Sequence, residues 1–125
     1  MSNEKLEQGL AIRKQVLGAQ HVERSLAAAD DFNKPIQELV TEYCWGHVWG
    51  NEDLPRQTRS LLNIAMLTAL NRSHELKVHI QGALRNGVSK QQIQATLMQT
   101  AIYCGVPAAL ESFRVASDAI KTFDE

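Results

Sequence analysis

Apolar residues recur every three or four positions along almost the whole chain, which is the period of an amphipathic α-helix. Runs in which β-branched apolar residues alternate with polar ones are absent, so the pattern predicts no β-strand. The breaks between periodic segments divide the chain into about six or seven helices. We therefore expect an all-α fold, organised as a single domain over residues 1–125.

The first part of the chain predicts two helices before a turn. The first spans about Glu4–Leu17 and ends at Gly18, a residue type that commonly terminates helices. A shorter helix covers about Val22–Ala29. Pro35 then suits the first turn of a third helix.

This third helix has two usable faces, which predicts burial on both sides, against its own domain or against another subunit. The first face carries Ile36, Leu39, Val40, Tyr43, Cys44, His47 and Val48, and the second carries Glu42, Trp45 and Trp49. The two tryptophans indicate more hydrophobic surface than one small domain can bury, so we expect a homo-oligomer.

A helical hairpin is predicted in the middle of the chain. Pro55 opens the segment Arg56–Leu70, which is apolar nearly all round after Ser60 and should form the central core element. The segment Ser73–Gly87 follows after a short turn. Because short connections favour antiparallel neighbours, we expect these two helices to form a central antiparallel hairpin.

Two more helices complete the predicted fold. Ser89 and Gln92 have the spacing of a capping box, which predicts a helix start. The inward residues of this helix should be Ile93, Leu97, Ala101 and Cys104. Gly105–Pro107 breaks it, and a last helix covers about Ala108–Phe123.

Composition and charge exclude several classes of protein. Of 125 residues, 44% are apolar and 22% are charged, as in an ordinary globular protein, and the net charge of −1 gives no footprint for nucleic acid or an anionic membrane. No apolar run approaches the roughly 18 residues of a spanning helix, and the polar, acidic N-terminus is unlike a signal peptide. We expect a cytoplasmic protein without a membrane or nucleic-acid partner.

The two cysteines, Cys44 and Cys104, are far apart in the sequence and form no metal-ligand pattern. We expect buried, reduced thiols and no metal site. The sequence also lacks the glycine-rich and catalytic motifs that bind nucleotides or mark metalloproteases and serine hydrolases. No cofactor is therefore expected.

His79 is the first candidate for chemistry. It falls inside the apolar stripe of the Ser73–Gly87 helix, where a side chain that changes charge near neutral pH can be held in a defined geometry. Glu75 and Arg72 precede it by four and seven residues, so all three can line one edge of the helix, and Glu75 can orient the imidazole. The alternative is a core histidine that makes one hydrogen bond and has no catalytic role.

Arg59 and Glu42 are the next candidates. Arg59 lies in the first turn of the core helix, where it can offer its planar guanidinium to a carboxylate, or else form a surface or interface ion pair. Glu42 shares a predicted face with Trp45 and Trp49, and a carboxyl group beside indole rings is suited to acid–base chemistry. The alternative for this face is an aromatic packing patch with a paired glutamate.

Five strings, taken in order, resemble the carboxymuconolactone decarboxylase family. They are Arg13-x-x-Val16-Leu17-Gly18, Glu42-x-x-Trp45-Gly46-x-x-Trp49, Arg59-Ser60-Leu61-Leu62-x-Ile64-Ala65, Leu76-x-x-His79-x-x-x-Ala83-Leu84-x-x-Gly87 and Gln99-x-x-Ile102-Tyr103-x-Gly105-x-Pro107-Ala108. The order and spacing of the five strings together are specific for this family. The strings extend over nearly the whole chain. The family resembles the alkylhydroperoxidase D proteins in fold, so the resemblance implies that helical fold and assembly into trimers or hexamers.

The resemblance implies cofactor-independent decarboxylation of 4-carboxymuconolactone to the β-ketoadipate enol-lactone, a step in protocatechuate breakdown. The lactone itself can delocalise the electrons that carbon dioxide leaves behind, so no cofactor is implied. On this hypothesis His79 delivers a proton, Glu75 orients it, and Arg59 binds a carboxylate or the lactone oxygen. The expected substrate-binding residues are Arg72, Glu42, Trp45 and Trp49.

Two other functions remain open from the sequence: a thiol-dependent hydroperoxide reductase and a non-catalytic helical assembly protein. Alkylhydroperoxidase D proteins use a CxxCxxxH site, in which His79 would match the histidine while Glu75 and Arg72 replace the cysteines. A thiol peroxidase needs a thiolate and a resolving thiol. Cys44 and Cys104 can supply them only if they meet in space.

Overall fold

The computed structural model describes residues 3–123, and within that range the chain is helical with no β-strand. The elements are α1 (Glu4–Leu17), α2 (Ala19–Ala27), α3 (Lys34–Leu39), a π-helix π1 (Val40–Val48), α4 (Arg56–Ala69), α5 (Ser73–Arg85), α6 (Lys90–Tyr103) and α7 (Val106–Lys121). The predicted all-α class is confirmed. The chain divides into two compact units, an N-terminal unit up to Pro55 and a C-terminal unit from Arg56. No helix in the described range is long and apolar enough to cross a membrane.

In the N-terminal unit, α1 and π1 approach each other backbone to backbone. A Cβ atom on Gly9 would collide with the carbonyl oxygen of Thr41, and one on Gly46 would collide with that of Lys5. Because the earlier residue of α1 faces the later residue of π1, the two helices are antiparallel. Glycine at these two positions is therefore what allows the close packing of this unit.

The predicted α1 is confirmed to the residue, but α2 begins earlier than predicted. Gly18 has a positive φ of 93°, a conformation that glycine adopts without strain. The chain therefore turns within one residue, and α2 begins at Ala19 rather than near Val22. Pro35 lies in the first turn of α3, as predicted.

Of the two faces predicted for the third helix, one is buried and the other is exposed to solvent. Trp45 and Trp49 are 2% and 5% exposed, and their rings stack with centroids 4.7 Å apart. The face that was expected to be continuous and buried has its large apolar side chains in solvent, including Ile36, Leu39 and Tyr43. The prediction of burial on both sides is wrong within the chain.

The change from α- to π-helical hydrogen bonding explains this error. From Val40 onward the backbone bonds i→i+5, as in the 2.9 Å bond from the Trp49 N–H to the Cys44 carbonyl. The wider turn moves side chains out of the 3.6-residue register on which the prediction depended. As a result Glu42 is exposed and does not share the buried face of Trp45 and Trp49.

The C-terminal unit begins with the predicted hairpin. Asn86 Nδ2 donates a 2.9 Å hydrogen bond to Ser60 Oγ, and Asn63 Nδ2 lies 3.4 Å from His79 Nδ1. Ser60 thus pairs with the later residue Asn86 and Asn63 with the earlier residue His79, so the two helices are antiparallel. The prediction of an antiparallel α4–α5 hairpin is confirmed.

Helix α7 packs along α5 in the same direction. Gln81 Nε2 donates a 3.1 Å hydrogen bond to the Ala119 carbonyl, and Lys77 forms a 2.8 Å ion pair with Asp118. The core of this unit consists of buried apolar side chains from α4, α5, α6 and α7. They include Ile64, Leu76, Ile80, Ile93 and Leu97.

Helix α4 is buried on one face only. Ser60, Ile64 and Thr68 are buried, whereas Leu62 and Met66 are about half exposed. The segment predicted as the central core element thus contributes one face to the core, although it is apolar nearly all round. An apolar face of this length stays in solvent unless another surface covers it.

The predicted capping box of α6 is confirmed, because the Ser89 side chain accepts from the Gln92 N–H while the Gln92 side chain accepts from the Ser89 N–H. The inward residues differ from the prediction at the end of this helix. Thr100 is buried, whereas Cys104 is exposed and Cys44 is only partly buried. The expectation of two buried thiols is therefore wrong for Cys104 and holds only in part for Cys44.

Helix α7 begins two residues earlier than predicted, at Val106. Gly105 has a φ of 106° and redirects the chain within one residue, and Pro107 fits the first turn of the new helix. Residues 105–107 therefore both end α6 and begin α7, where the sequence had indicated only a break.

Candidate active site

His79 lies at the edge of the buried stripe of α5. Its neighbours Leu76 and Ile80 are 1% and 0% exposed, while His79 itself is half-buried. The imidazole is therefore held against the core and still reached from solvent. This position suits a group that must exchange a proton with water and deliver it to a bound molecule.

Asn63, on the neighbouring helix α4, is a partner of His79. Its Nδ2 atom lies 3.4 Å from the His79 Nδ1 atom. Because an amide N–H can only donate, Nδ1 accepts, and a neutral ring then carries its proton on Nε2. The contact thus orients the ring and leaves an N–H on its other side.

Sequence reasoning missed Asn63, although the chain carries a signal for it. Asn63 is the only polar residue in the run Leu61–Leu67. An isolated amide in an apolar helix needs a hydrogen-bond partner, because leaving a buried polar group unpaired is costly. The partner lies 16 residues away along the chain, outside the same-helix spacings that the prediction considered.

Arg59 lies one helical turn before Asn63 on the same face of α4. It is half-buried, and its Nε atom is buried. Residues four apart on a helix are neighbours, with Cα atoms about 6 Å apart along the axis. Arg59 therefore lies on the side of α4 that carries the Asn63–His79 contact.

Glu75 and Arg72 lie near the start of α5. Glu75 is exposed, one turn before His79 on α5. Arg72 is also exposed, directly precedes α5, and donates from Nη1 to the Leu70 carbonyl at 3.1 Å. Because Arg72 precedes α5 with a non-helical backbone, the helical spacing does not place it on the edge of Glu75. Both side chains can be reached by a molecule that approaches from solvent.

The remaining predicted residues belong to the N-terminal unit. Glu42 is exposed, whereas Trp45 and Trp49 form the buried stacked pair described above. The pair matches the packing alternative considered for this face. The N-terminal unit thus holds these aromatic rings in its interior.

A second polar cluster in the N-terminal unit contains Arg13, which sequence reasoning had noted only as part of a family string. Arg13 is 6% exposed and donates from Nη1 to Thr41 Oγ1 at 2.9 Å. Burial lowers the pKa of Arg13. Burial also raises the pKa of the nearby Cys44 thiol, and the charge of Arg13 opposes that rise in part.

The described residues offer no metal centre: no group of three or more His, Cys, Asp or Glu side chains between residues 3 and 123 is placed to hold an ion. Cys44 and Cys104 are both free thiols. The candidate residues of the C-terminal unit supply an imidazole, two guanidinium groups and a carboxylate, and this unit also carries the exposed Cys104 thiol.

Comparison with known proteins identifies relatives over most of the chain. The model of the carboxymuconolactone decarboxylase family matches residues 34–118. A 4-carboxymuconolactone decarboxylase of Acinetobacter baylyi is 39% identical over 118 residues, which cover 94% of this chain and 88% of that protein. A nitrosuccinic acid decarboxylase of Metarhizium robertsii is 39% identical over 114 residues, covering 91% of this chain and 80% of that protein. A 4-carboxymuconolactone decarboxylase of Pseudomonas putida is 37% identical over 43 residues, which cover 34% of this chain and 90% of that protein.

Proposed function

This chain belongs to the carboxymuconolactone decarboxylase family, and we propose that it removes carbon dioxide from 4-carboxymuconolactone to give the β-ketoadipate enol-lactone. The observation that carries the proposal is the half-buried His79, oriented by Asn63 on the hairpin face that also bears Arg59. The relative of that name in Acinetobacter baylyi, 39% identical over 94% of this chain, supports the same substrate.

The chemistry of this substrate defines what the site must do. The substrate carries two carboxylates and a conjugated lactone ring. Loss of carbon dioxide leaves an electron pair that can spread through the ring to the lactone carbonyl oxygen, so the substrate acts as its own electron sink. The protein must bind the carboxylates, stabilise the oxygen on which charge develops, and deliver a proton to carbon.

Arg59 is suited to the first two tasks. A guanidinium offers two parallel N–H donors to a carboxylate or to a lactone oxygen. Its half-buried position strengthens the interaction, because the effective dielectric is lower than in bulk water. We assign Arg59 the role of holding a carboxylate or the lactone oxygen.

His79 is suited to proton delivery. The Asn63 amide contacts Nδ1, so Nε2 is the ring nitrogen that carries the proton to be delivered. Delivery starts from the imidazolium, because a neutral ring that gave up its proton would become an imidazolate. In the charged ring Nδ1 also carries hydrogen, which the Asn63 side-chain oxygen accepts once the amide has turned over. As negative charge grows on the substrate, the imidazolium gives its Nε2 proton to the α-carbon and becomes a neutral imidazole, which water protonates again. Glu75, one turn away, stabilises the protonated ring between turnovers.

Two exposed residues complete the proposed substrate contacts. Arg72 directly precedes α5, and its exposed guanidinium can attract a dicarboxylate. Glu42 is exposed and belongs to one of the family strings. Trp45 and Trp49 were expected to bind substrate, but because their stacked rings are buried we assign them the role of packing this string in place. We propose that catalysis uses neither a metal nor an organic cofactor.

A second candidate substrate is nitrosuccinic acid, because the relative named for its decarboxylation is as similar to this chain, at 39% identity. Nitrosuccinic acid is also a dicarboxylic acid with an electron-withdrawing group beside the reacting carbon. A cation for the retained carboxylate and a proton donor for the resulting anion would serve both reactions.

A spectrophotometric assay with 4-carboxymuconolactone generated in situ tests the proposal, with nitrosuccinic acid assayed in parallel. We expect turnover of the lactone by the wild-type chain and a loss of roughly 10²- to 10⁴-fold in His79→Ala, the usual contribution of a positioned acid or base. His74→Ala, on an exposed neighbour in α5, is the matched control. Wild-type turnover in His79→Ala would show that His79 has no role in the mechanism. Turnover of nitrosuccinic acid without turnover of the lactone would show that nitrosuccinic acid, not 4-carboxymuconolactone, is the substrate.

We further propose that the chain acts as a homo-oligomer, a trimer or a hexamer. The C-terminal unit leaves several large apolar side chains in solvent, namely Leu62, Met66, Met98, Ile102 and Tyr103. Exposed apolar surface of this extent marks an interaction site. Light scattering of the purified protein tests this, and a monomer at micromolar concentration would contradict it.

The cellular setting follows from the same proposal. We propose that the protein is cytoplasmic and acts in protocatechuate breakdown within the β-ketoadipate pathway. We also propose that residues 1–125 act as one family domain, because the family match at residues 34–118 includes parts of both units. Growth on protocatechuate after deletion of the gene tests the pathway assignment.

A further inference from the structure

Helix α4 carries an apolar stripe in solvent directly beside residues of the candidate active site. Leu62, Met66 and Leu70 are 45%, 51% and 59% exposed and recur every four residues, so they form one line along the helix, the α4 stripe. Arg59 precedes Leu62 by three residues and Asn63 precedes Met66 by three, which makes each pair neighbours on the helix surface. A surface that covers the α4 stripe therefore also covers the line from Arg59 to Asn63.

A second apolar face lies in solvent in the N-terminal unit, on α3 and π1. Ile36, Leu39 and Tyr43 form this α3–π1 face, and each is more than half exposed. Glu42, next to Tyr43 in the chain, is exposed as well. Exposed apolar surface of this kind marks an interaction site. Each unit of the chain therefore presents an apolar face that another molecule can cover.

The charges beside the two faces are complementary. Residues 59–72, which carry the α4 stripe, contain two arginines and no lysine, aspartate or glutamate. Beside the α3–π1 face, Glu38 and Glu42 are exposed, and the turn before α3 adds Asp30 and Asp31 against one lysine. None of these four carboxylates forms an ion pair with another residue of the described range. Opposite charges favour contact between the two unlike faces and oppose contact between two like ones.

We propose that the α3–π1 face of one copy of this chain packs on the α4 stripe of the next copy, and that this contact brings Glu42 of the first copy to Arg59 in the active site of the second. Because the contact joins two different faces, a closed ring such as a trimer pairs every face. Glu42 is then a positioning residue: its carboxylate accepts from one edge of the Arg59 guanidinium and leaves the other edge to the substrate. The role of Glu42 rests on the proposed function, whereas the contact itself does not.

This arrangement accounts for the placement of Glu42. The residue lies in a family string and yet is exposed in the N-terminal unit, while Arg59 and His79 belong to the C-terminal unit. Arg59 and His79 are only half-buried within one copy. An apolar face packed beside them lowers the effective dielectric around the guanidinium and strengthens its bond to a substrate carboxylate.

Light scattering of three variants tests the contact without reference to turnover. Leu39→Asp and Leu62→Asp each place a charge in one of the two faces, so each should form a smaller assembly than the wild type. An equimolar mixture of the two should form a larger species than either alone, because one variant keeps an intact α4 stripe and the other an intact α3–π1 face. Leu110→Asp, at a 54% exposed leucine of α7, is the matched control and should assemble as the wild type does.

Subunit mixing tests the role of Glu42. Glu42→Gln should assemble normally and lower kcat/KM by roughly tenfold, because it removes a charge-assisted hydrogen bond. Copies of Glu42→Gln and His79→Ala exchanged at equal amounts should recover about a quarter of the wild-type activity, since one site in about four then combines an intact His79 with an intact Glu42 of the next copy. Glu7→Gln, an exposed glutamate on α1, should leave kcat/KM unchanged.

The contact is wrong if Leu39→Asp or Leu62→Asp assembles as the wild type does, if their mixture is no larger than either variant alone, or if Leu110→Asp disrupts the assembly equally. Wild-type kcat/KM in Glu42→Gln would contradict the role of Glu42. The same holds if the mixed copies show only the residual activities of the two variants. A wild type that turns over neither substrate would contradict the proposed function, and light scattering would still decide the contact.

Discussion

The Nδ2 atom of Asn63 on α4 lies 3.4 Å from the Nδ1 atom of His79 on α5, so the ring on one arm of the hairpin is oriented from the other arm. This relationship gives the α4–α5 hairpin a chemical as well as a structural role. The distance is long for a hydrogen bond, so we expect the loss of this one contact to have a modest effect on turnover. The orientation of the ring should depend more on the packing of the hairpin as a whole.

Asn63→Leu should lower kcat by roughly twofold to tenfold with little change in KM. The substitution removes one neutral hydrogen bond, worth about 0.5–1.5 kcal/mol, and leaves the ring without its orienting donor. Steady-state kinetics measure the effect, and Met66→Leu, an exposed substitution on the same helix, is the control. A rise in KM at constant kcat would show that Asn63 contacts the substrate instead.

Glu75→Gln should lower kcat by about fivefold or less. Glu75 is exposed, and the attraction between exposed charges contributes at most about 1 kcal/mol because water and salt screen it. The loss should shrink further in 1 M salt, where the attraction of Glu75 for the protonated ring is already screened in the wild type. A loss as large as that of His79→Ala would instead make Glu75 the proton donor.

Arg59→Gln should lower kcat/KM by roughly 10- to 100-fold, because it removes charge-assisted hydrogen bonds to the substrate. Arg59→Lys keeps the charge and loses the two-pronged geometry, so it should recover only part of the activity. Arg56→Gln, one turn earlier on α4, is the matched control. Equal activity of the Lys variant and the wild type would show that charge alone suffices.

Gly9→Ala should destabilise the protein by about 1–3 kcal/mol. The added methyl group would collide with the Thr41 carbonyl, and a backbone atom cannot move aside as a flexible side chain can. Urea unfolding measures the change, with Gln8→Ala, an exposed substitution on α1, as the control. An unchanged unfolding midpoint would show that α1 and π1 do not meet at Gly9.

Stability should fall as pH rises above about 8.5, the usual cysteine pKa. Burial raises the pKa of Cys44 in the folded chain, so the native state holds its proton between the unfolded and the folded pKa while the unfolded state releases it. This contribution is therefore complete below the unfolded pKa and lost as pH rises through the folded one. Cys44→Ala should flatten the decline in urea unfolding measured from pH 7 to 10, and an identical slope would contradict the assignment.

The parts of the fold that the sequence predicted correctly are those set by neighbouring residues. Gly18, Pro35 and the Ser89 capping box determine helix ends through local geometry, and the structure confirms all three. The α4–α5 hairpin follows from a short turn between two apolar stripes. Such features depend on bonds within a few residues, which a single sequence contains.

The parts that were missed depend on backbone geometry or on distant partners. The pattern from Val40 to Val48 was interpreted with a 3.6-residue period and with both faces buried, whereas the π-helical turn leaves only the face of Trp45 and Trp49 buried within the chain. Helical spacing pointed from His79 to Glu75 and Arg72 on its own helix, whereas Asn63 lies on another. The burial of Arg13 also has no local signal, because a charged residue is ordinarily exposed.

The near-contact of Gly9 with Thr41 fixes chain length as well as residue type in α1. Inserting one residue between Gly9 and Arg13 would turn the guanidinium by about 100° around the helix axis and point it away from Thr41. Natural homologues that retain this arginine can therefore vary the three intervening residues in identity but not in number. A deletion or insertion there would mark a lineage that has given up the buried cation.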